Sequence, residues 1–370
     1  MTEAPTTAVE SPLLTMTQTT PTALWNDSAD PRELSTAIGW GAVGATCNPV
    51  IALAAIRADL PRWTARIREI ADERPTATES EIGWQVVEEV SLEAARLLEP
   101  AFAAYGGRNG RLSMQTDPRL RRDPKALADQ AEYFAGLADN IIVKIPATKA
   151  GIEAIEDATH RGVNVNVTVS FSVPQAVASA EAIERGLARR EAEGLDVSTM
   201  GPVVTIMVGR LDDWLKEIVK RDGIAIDPAA LEWAGVAAVK RAYAEFHARG
   251  LRARVLAAAY RNQLQWTELV GGDLVLSPPF AWQEKFQATG IDPAPRLDIP
   301  VDPDIIAALE GIEDFRRAYE PDGMSAEEFD DFGATRNTLR QFLTADEELD
   351  QLVLFFLMIR RPPRRQSYAS

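Results

Sequence analysis

The stretch Asn140-Ile141-Ile142-Val143-Lys144-Ile145-Pro146-Ala147-Thr148 decides the fold of this chain. Its apolar residues occupy both faces of a strand, which is typical of a parallel sheet that is covered on both sides. Lys144 interrupts the run, and an ammonium group is almost never fully buried unless it is paired. The lysine therefore pairs with a carboxylate, reaches water, or has a lowered pKa. A lowered pKa would give an amine nucleophile of the kind that forms Schiff bases with carbonyl compounds. Position alone supports the structural and the catalytic interpretations equally.

Seven further short apolar segments accompany this strand, and each of the eight precedes a helical pattern or enough chain for a helix. The predicted strands are 22–26, 42–46, 111–115, 141–145, 163–170, 202–208, 254–258 and 273–276. Helical patterns cover 32–40, 50–104 with an interruption near 74–76, 124–138, 149–161, 174–193, 211–220, 228–249 and 305–352. This alternation predicts a (β/α)8 barrel. The alternative is an open doubly wound sheet, but no Gly-x-Gly-x-x-Gly motif follows the first strand.

The two chain ends differ from the region between them. Residues 1–20 lack the positive start and the long apolar core of a signal peptide, so we predict a disordered leader there. Residues 21–352 form the predicted barrel domain together with a C-terminal helical segment. In residues 353–370 an acidic helical pattern changes abruptly to an apolar and then a basic run. We expect this tail to be disordered or foreign to the native chain, and a peptide that binds a membrane surface or a partner is the alternative.

Composition restricts the classes of function. The net charge of −16 argues against binding to nucleic acid or to an anionic membrane, because both need a basic surface. The single cysteine, Cys47, excludes an internal disulfide, which fits the cytoplasm. With only two histidines, a His-based triad or a His-rich metal site is not expected, and we predict no metal site. No apolar run approaches the roughly 20 residues that span a bilayer.

Polar residues accumulate at the predicted C-terminal ends of the strands, where (β/α)8 barrels carry their chemistry. Each has a structural explanation when taken alone, such as helix capping by Asp27, a turn at Asn48, or an ion pair between Arg210 and Asp213. Their accumulation in an otherwise apolar barrel favours a site. The residues in question are Asp27, Asn48, Gln115, Lys144, Asn166, Thr168, Thr205, Arg210 and Arg261.

These residue types support one coherent reaction. Lys144 would attack a ketone carbon to form an iminium, which accepts electrons when the adjacent carbon–carbon bond breaks. Asp27 would take the proton from the hydroxyl one carbon further along. Asn48 and Asn166 can hold substrate hydroxyls. The planar, permanently charged side chains of Arg210 and Arg261 suit a phosphate.

At these positions the chain resembles the transaldolases, a family of class I Schiff-base enzymes with a (β/α)8 barrel. The resemblance covers about residues 22–280. The residues that carry it are Trp25-Asn26-Asp27, Thr46-Cys47-Asn48-Pro49, Lys144-Ile145-Pro146-Ala147-Thr148, Asn164-Val165-Asn166-Val167-Thr168, Val208-Gly209-Arg210 and Tyr260-Arg261-Asn262. Several motifs in the right order make the resemblance specific.

The resemblance implies a transferase of the pentose phosphate pathway. Such an enzyme takes a dihydroxyacetone unit from a ketose phosphate, sedoheptulose 7-phosphate or fructose 6-phosphate, and passes it to an aldose phosphate without any cofactor. The implied catalytic residues are Lys144, Asp27, Gln115 and Thr168, and the implied substrate-binding residues are Asn48, Asn166, Thr205, Arg210 and Arg261. The expected partners are small sugar phosphates, with no nucleic acid and no membrane. A homodimer is the assembly that we consider.

Three residues depart from the family pattern. Gln115 stands where most transaldolases have a glutamate, and glutamine can orient a water but cannot accept its proton. Related fructose 6-phosphate aldolases carry glutamine there, so an aldolase that releases dihydroxyacetone is an alternative, although those relatives are much shorter. A sugar-phosphate-binding protein without turnover is a third interpretation. Met207 replaces a usual aromatic residue and Ala259 a phosphate-contacting serine, so substrate preference is open.

Overall fold

The computed structural model describes residues 11–358. Eight parallel strands form a closed barrel in chain order, and the last strand pairs with the first. The strands are β1 (Ala23–Asn26), β2 (Ala42–Thr46), β3 (Arg111–Gln115), β4 (Ile141–Pro146), β5 (Val165–Thr168), β6 (Val203–Met207), β7 (Arg254–Ala258) and β8 (Val275–Ser277). The predicted (β/α)8 barrel is confirmed, and the open sheet is wrong.

Sixteen helices surround the strands within the described residues. They are α1 (Pro12–Thr19), α2 (Pro31–Gly39), α3 (Pro49–Ala58), α4 (Leu60–Glu73), α5 (Glu79–Ala104), α6 (Pro124–Ala135), α7 (Lys149–Arg161), α8 (Val173–Ala192), α9 (Val208–Asp222), α10 (Pro228–Leu231), α11 (Ala234–Arg249), α12 (Leu264–Thr267), α13 (Phe280–Thr289), α14 (Pro303–Glu310), α15 (Glu313–Tyr319) and α16 (Gly333–Met358). Two 3₁₀ segments, Pro118–Leu120 and Ala326–Asp331, complete the described elements.

Local sequence explains where several helices begin and end. The Asp30 carboxylate accepts hydrogen bonds from the backbone of Arg32 at 2.8 Å and of Glu33 at 3.4 Å, so Asp30 caps α2. The predicted helical region 50–104 is divided into three helices, because Asp59 caps a new start at α4 and Thr78 forms a capping box at α5. Gly162 ends α7 with a φ of 96°, a conformation that glycine adopts without steric cost.

The lower part of the barrel is filled by apolar side chains that define an inner cluster. Its buried members are Ala23, Trp25, Ile142, Val203, Leu256, Ala258 and Val275. Trp25 occupies the space beside Gly44, where an added Cβ atom would lie 2.4 Å from the indole ring. Above the inner cluster, the same strands carry the polar residues of the barrel mouth. The cluster therefore fills the barrel interior beneath the polar residues at the C-terminal ends of the strands.

The predicted disordered leader is wrong for its last ten residues, while residues 1–10 lie outside the described part of the chain. Helix α1 buries Leu13 and Met16 completely. Its first turn is tied to α13, because the Leu13 backbone N–H donates to Gln287 Oε1 at 3.1 Å. The apolar spacing in Pro12–Thr19 therefore serves a packed helix rather than a flexible segment.

The predicted tail is wrong for residues 353–358, which continue α16. Val353 is fully buried, and Phe356 is 6% exposed. The carbonyl of Phe356 accepts a hydrogen bond from Arg68 Nε at 3.2 Å, which ties the helix end to α4. The apolar sequence after residue 352 therefore continues the buried face of α16. The basic run within residues 359–370 lies beyond the described residues.

We expect Phe356→Ala to lower the free energy of unfolding by about 3 kcal/mol, because it leaves a cavity in the packed face of α16. The adjacent Phe355 is 58% exposed, so Phe355→Ala should change stability by less than about 0.5 kcal/mol. Urea denaturation of both variants measures the difference. Equal stability of the two variants would show that the end of α16 does not contribute to the packed structure.

Among residues 11–358, no helix has the length and apolar character needed to cross a bilayer.

Candidate active site

The nine residues singled out from the sequence lie at one end of the barrel, the end formed by the C-terminal ends of the strands. Asp27 follows β1, Asn48 lies between β2 and α3, and Arg210 lies in the first turn of α9, which follows β6 directly. Gln115, Lys144 and Asn166 sit side by side on β3, β4 and β5, because Lys144 is in register with both neighbours. The remaining positions are Thr168 on β5, Thr205 on β6 and Arg261 after β7.

Lys144 is buried, with 4% of its surface exposed. No ion pair or hydrogen bond joins its amine to any other residue in 11–358. Burial lowers the pKa of Lys144, and the negative charge of Asp27 opposes that shift only in part. Of the three possibilities that the sequence leaves open, the structure therefore supports the lowered pKa. A larger fraction of neutral amine at neutral pH is the requirement for nucleophilic attack on a carbonyl.

Asp27 is a carboxylate whose charge acts on several groups at the barrel mouth. Its Oδ1 accepts a short hydrogen bond from the hydroxyl of Thr46, the last residue of β2. Its charge acts on Lys144, on Arg210 and on the buried hydroxyl of Tyr260, whose pKa is raised by burial. Helix α2 is capped by Asp30, so the alternative role of Asp27 as a helix cap is wrong.

A hydrogen-bonded chain of side chains crosses the barrel beside Lys144. Asn166 Nδ2 donates to Ser113 Oγ at 2.9 Å, and Thr205 Oγ1 donates to Asn166 Oδ1 at 2.7 Å. These bonds hold the Asn166 amide in one orientation and leave one of its N–H groups for a ligand. Ser113 was not predicted as a site residue, although it shares the inward face of β3 with Gln115.

Gln115 carries an unsatisfied polar atom. Its Oε1 is buried without a hydrogen-bond partner among the described residues, and the side chain is in register with Lys144. A buried carbonyl oxygen of this kind ordinarily finds a donor, such as a water or a ligand hydroxyl. Three hydroxyls near the mouth, those of Ser170, Tyr260 and Ser277, are likewise buried without partners. These four polar atoms can therefore form hydrogen bonds with a ligand or with water in the mouth.

Asn48 has a structural role at the turn between β2 and α3, in line with the structural explanation that the sequence offered for it. Its Oδ1 accepts a hydrogen bond from the backbone of Ile51 at 3.0 Å and so caps α3. Only its Nδ2 group remains for a ligand. Capping fixes the side chain at the end of β2, which is the placement that a hydroxyl-binding amide in the mouth needs.

The two arginines of the mouth lie close enough that the charge of Arg261 acts on Arg210. Burial and the charge of Arg261 lower the pKa of Arg210, while Asp27 and Asp213 oppose the shift. Arg261 Nε donates to Asp213 Oδ2 at 2.9 Å. The alternative ion pair between Arg210 and Asp213 is therefore wrong, because Asp213 pairs with Arg261. Two guanidinium groups at the same end of the barrel suit the binding of an anion.

Unusual backbone conformations shape the loops after β5 and β7. Val169 has a φ of 50° and Ala259 a φ of 62°, values that residues with a Cβ adopt at a cost. A glutamine six residues further on holds each turn. Gln175 Oε1 accepts from the backbone of Phe171 at 3.1 Å, and Gln265 Oε1 accepts from the backbone of Arg261 at 2.5 Å. In both loops, a glutamine side chain therefore holds the backbone turn that follows the strand.

The C-terminal segment also contributes to the mouth, which the sequence did not indicate. Arg210 Nη1 donates to Gln341 Oε1 at 2.5 Å and to Thr338 Oγ1 at 3.4 Å, so α16 orients this arginine. Thr335 accepts a hydrogen bond from Gln175 Nε2 at 3.3 Å. No motif or spacing in 305–352 could have shown these contacts, because they depend on the path of α16 across the barrel.

The fold and the site define a class: a (β/α)8-barrel protein whose C-terminal mouth holds a buried, unpaired lysine, a carboxylate and two arginines. Within residues 11–358, no group of three His, Cys, Asp or Glu side chains is arranged to hold a metal ion. A family model described as transaldolase/fructose-6-phosphate aldolase matches residues 24–331. The chain therefore belongs to the transaldolase/fructose-6-phosphate aldolase family.

Curated relatives are similar over part of their length. Transaldolase 2 of Streptomyces avermitilis is 35% identical over 208 residues, which are 56% of this chain and 55% of that protein. A transaldolase of Thiobacillus denitrificans is 31% identical over 232 residues, 57% of this chain and 64% of that protein. The match thus spans between half and two thirds of these relatives. A β-N-acetylglucosaminidase structure from Paenibacillus sp., with a TM-score of 0.31 and 11% identity over 93% of this chain and 67% of that one, is too dissimilar to support an inference.

Proposed function

We propose that this protein transfers a dihydroxyacetone unit from a ketose phosphate, sedoheptulose 7-phosphate or fructose 6-phosphate, to an aldose phosphate. The observation that carries the proposal is the unpaired amine of Lys144, buried beside Asp27 at the mouth of the barrel. Relatives named transaldolase add support. A reaction of this kind belongs to the pentose phosphate pathway, and we propose the cytoplasm as its setting, consistent with the single, buried thiol of Cys47.

In the proposed mechanism, the neutral amine of Lys144 attacks the ketone carbon to give a carbinolamine. The carbinolamine hydroxyl takes a proton from solvent and leaves as water, and an iminium remains. Asp27 takes the proton from the hydroxyl one carbon beyond the scissile bond, the carbon–carbon bond breaks, and an aldose leaves. The electron pair of the broken carbon–carbon bond is retained as an enamine on Lys144. The enamine then attacks the carbonyl carbon of the acceptor, which receives its proton from Asp27, and water releases the new ketose.

The other residues have proposed roles in orientation. Gln115 and Thr168 would hold the water that is lost and regained during Schiff-base chemistry. Asn48 and Asn166 would hold substrate hydroxyls, with Thr205 fixing the Asn166 amide. Arg210 and Arg261 would bind the phosphate, for which two adjacent guanidinium groups are suited.

Borohydride trapping tests the proposal. The protein is incubated with fructose 6-phosphate, reduced, digested and read by mass spectrometry. We expect a three-carbon adduct on the peptide that contains Lys144, because cleavage leaves dihydroxyacetone on the amine. If folded protein shows no modification of Lys144 under these conditions, the Schiff-base mechanism is wrong for this substrate.

A second candidate function is release of free dihydroxyacetone from the same intermediate. The buried, unpartnered Oε1 of Gln115 favours it, since glutamine can orient a water without ionising. The two functions differ in their need for an acceptor. Transfer predicts that dihydroxyacetone is produced only in trace amounts without an aldose phosphate, whereas release predicts steady production from fructose 6-phosphate alone.

We expect Gln115→Glu to increase the rate of Schiff-base formation by tenfold or more, because a carboxylate can accept the proton that an amide cannot, and general base catalysis contributes about 10²–10⁴-fold. Single-turnover trapping with fructose 6-phosphate measures the rate. Gln351→Glu, at an exposed position on α16, makes the same chemical change away from the mouth and should leave the rate unchanged. An unchanged rate in Gln115→Glu would show that glutamine does not limit the reaction. The interpretation as a binding protein that lost turnover through Gln115 would then have no support.

A further inference from the structure

A second pocket lies on the rim of the barrel, outside the residues of the candidate active site. It has a volume of about 380 Å³ and lies between the turn after β3, the start of α7 and helix α16. Thr148 at the start of α7 donates to the backbone carbonyl of Arg121 at 3.5 Å, which connects two of its walls. Its charged lining residues are Arg121, Arg122, Arg336, Arg340, Asp330 and Asp331.

The four arginines of this pocket differ from most others in the chain. No ion pair or side-chain hydrogen bond joins any of the four to another residue within 11–358. Elsewhere arginines meet carboxylates, as Arg161 meets Asp129, Glu132 and Asp157 at 2.5–3.1 Å. In a chain with a net charge of −16, carboxylates are plentiful, so four unpaired guanidinium groups around one cavity require an explanation.

The arrangement gathers like charges, and three of the four arginines, Arg122, Arg336 and Arg340, are exposed to solvent. Arg336 and Arg340 are four residues apart on α16, a spacing at which like charges destabilise a helix. Asp330 is engaged elsewhere, because its Oδ1 accepts from the backbone of Lys149 at 3.2 Å. Four guanidinium groups and two carboxylates leave a formal charge of +2. An anion of charge near −2 would balance this formal charge, and a phosphate monoester carries about −1.5 to −2 at neutral pH.

The two walls of the pocket are held in place before any ligand binds. Arg119, next to the arginines of the β3 turn, bonds Asp117 at 2.7 Å and Asp346 of α16 at 3.1 Å. This ion-pair cluster ties the turn to the helix that carries Arg336 and Arg340. Binding therefore costs little ordering of the backbone, and the planar guanidinium groups can form paired hydrogen bonds with phosphate oxygens.

We propose that this pocket is a binding site for a phosphate-bearing small molecule, separate from the proposed substrate-phosphate site at Arg210 and Arg261. The inference goes beyond the proposed function and does not depend on it. Its volume lies in the range of small-molecule sites. The pocket also adjoins the mouth through α16, because Arg340 is followed by Gln341, which bonds Arg210 at 2.5 Å.

Isothermal titration calorimetry tests the proposal on the full chain. The Arg210→Ala/Arg261→Ala variant serves as background, so that the mouth does not contribute a phosphate site. Sorbitol 6-phosphate, which has no carbonyl group, inorganic phosphate and sorbitol are titrated separately. We expect one binding site for phosphate-bearing ligands and none for sorbitol. Tighter binding of sorbitol 6-phosphate identifies a phosphate ester as the ligand class, whereas equal or tighter binding of inorganic phosphate identifies the free ion.

Further variants on the same background localise the site. Arg121→Ala/Arg336→Ala should weaken phosphate binding by at least tenfold. Arg96→Ala/Lys220→Ala removes the same charge from two exposed residues outside the pocket, and it should leave affinity within about twofold. Asp331→Asn removes an exposed carboxylate from the pocket and should tighten binding severalfold. The proposal is overturned if no phosphate compound binds the background variant, if Arg121→Ala/Arg336→Ala keeps its affinity, or if the two double variants weaken binding equally.

Discussion

Replacement of Lys144 by methionine should abolish covalent capture of fructose 6-phosphate and, at the same time, stabilise the protein at neutral pH. Capture is lost because methionine has no amine. Stability should rise because the buried amine has no described partner, so protonating it in the folded protein is unfavourable, while methionine fills a similar volume. Borohydride trapping and urea denaturation measure the two effects on the same preparation.

The sign of the pH dependence follows from linkage. Because burial lowers the pKa of Lys144 in the folded state below the ordinary 10.5, the unfolded chain binds more protons between the two values. The stability of the wild-type protein therefore gains a contribution from Lys144 as pH rises from the lowered pKa toward 10.5. The advantage of Lys144→Met should be largest below that window and should shrink through it.

The control for this prediction is Lys149→Met, five residues further along the chain. Lys149 is 55% exposed at the start of α7, so its replacement should leave both capture and the pH dependence of stability unchanged. Undiminished capture by Lys144→Met would contradict the proposed role of Lys144. If Lys144→Met were less stable than the wild-type protein at every pH, the inference that the buried amine of Lys144 is unpaired and unfavourable would be contradicted.

Replacement of Arg210 or Arg261 by alanine should raise KM for phosphorylated substrates on the order of 10- to 100-fold, with a much smaller effect on unphosphorylated dihydroxyacetone donors. A hydrogen bond to a charged group contributes about 1.5–3 kcal/mol, and each 1.4 kcal/mol is a factor of ten. Arg210 should show the larger effect, because Gln341 and Thr338 already orient its guanidinium group. Steady-state kinetics with matched phosphorylated and free sugars measure the ratio.

Two variants sharpen this prediction. Arg210→Lys keeps the charge but loses the planar fork, so it should recover only part of the lost affinity. Arg221→Ala removes an exposed arginine near the far end of α9 and should leave KM unchanged. Equal effects of Arg210→Ala on phosphorylated and free substrates would remove the phosphate-binding role.

The barrel and the positions of the nine site residues could be predicted from sequence because both depend on local patterns. Short apolar runs alternating with helical periodicity specify parallel strands and covering helices, and parallel strands bring their C-terminal ends to one face of a barrel. Lys144, Asp27 and Asn166 could therefore be assigned to a common mouth. The predicted strand 163–170 is β5, Val165–Thr168, since the chain turns sharply at Val169 with a positive φ.

Other features depend on which distant residues meet. Whether Lys144 pairs with a carboxylate or stays unpaired was undecided by the sequence, because pairing depends on the position of Asp27 across the barrel. The sequence suggested that Asp213 pairs with Arg210 on the same helix, but the turn after β7 brings Arg261 to it instead. Arg210 and Arg261 carry the same charged group, so only their distance from Asp213 in the folded chain decides which of them pairs with it.

Local sequence by itself therefore determined the barrel, its mouth and the types of residue that line it, since strand and helix periodicity is encoded within a few residues. The tertiary structure alone decided the path of α16 over the mouth, the contact of Gln341 with Arg210 and the gathering of four unpaired arginines into one pocket. These contacts join residues more than 100 positions apart. Their energy comes from burial and charge between packed elements, which no local pattern encodes.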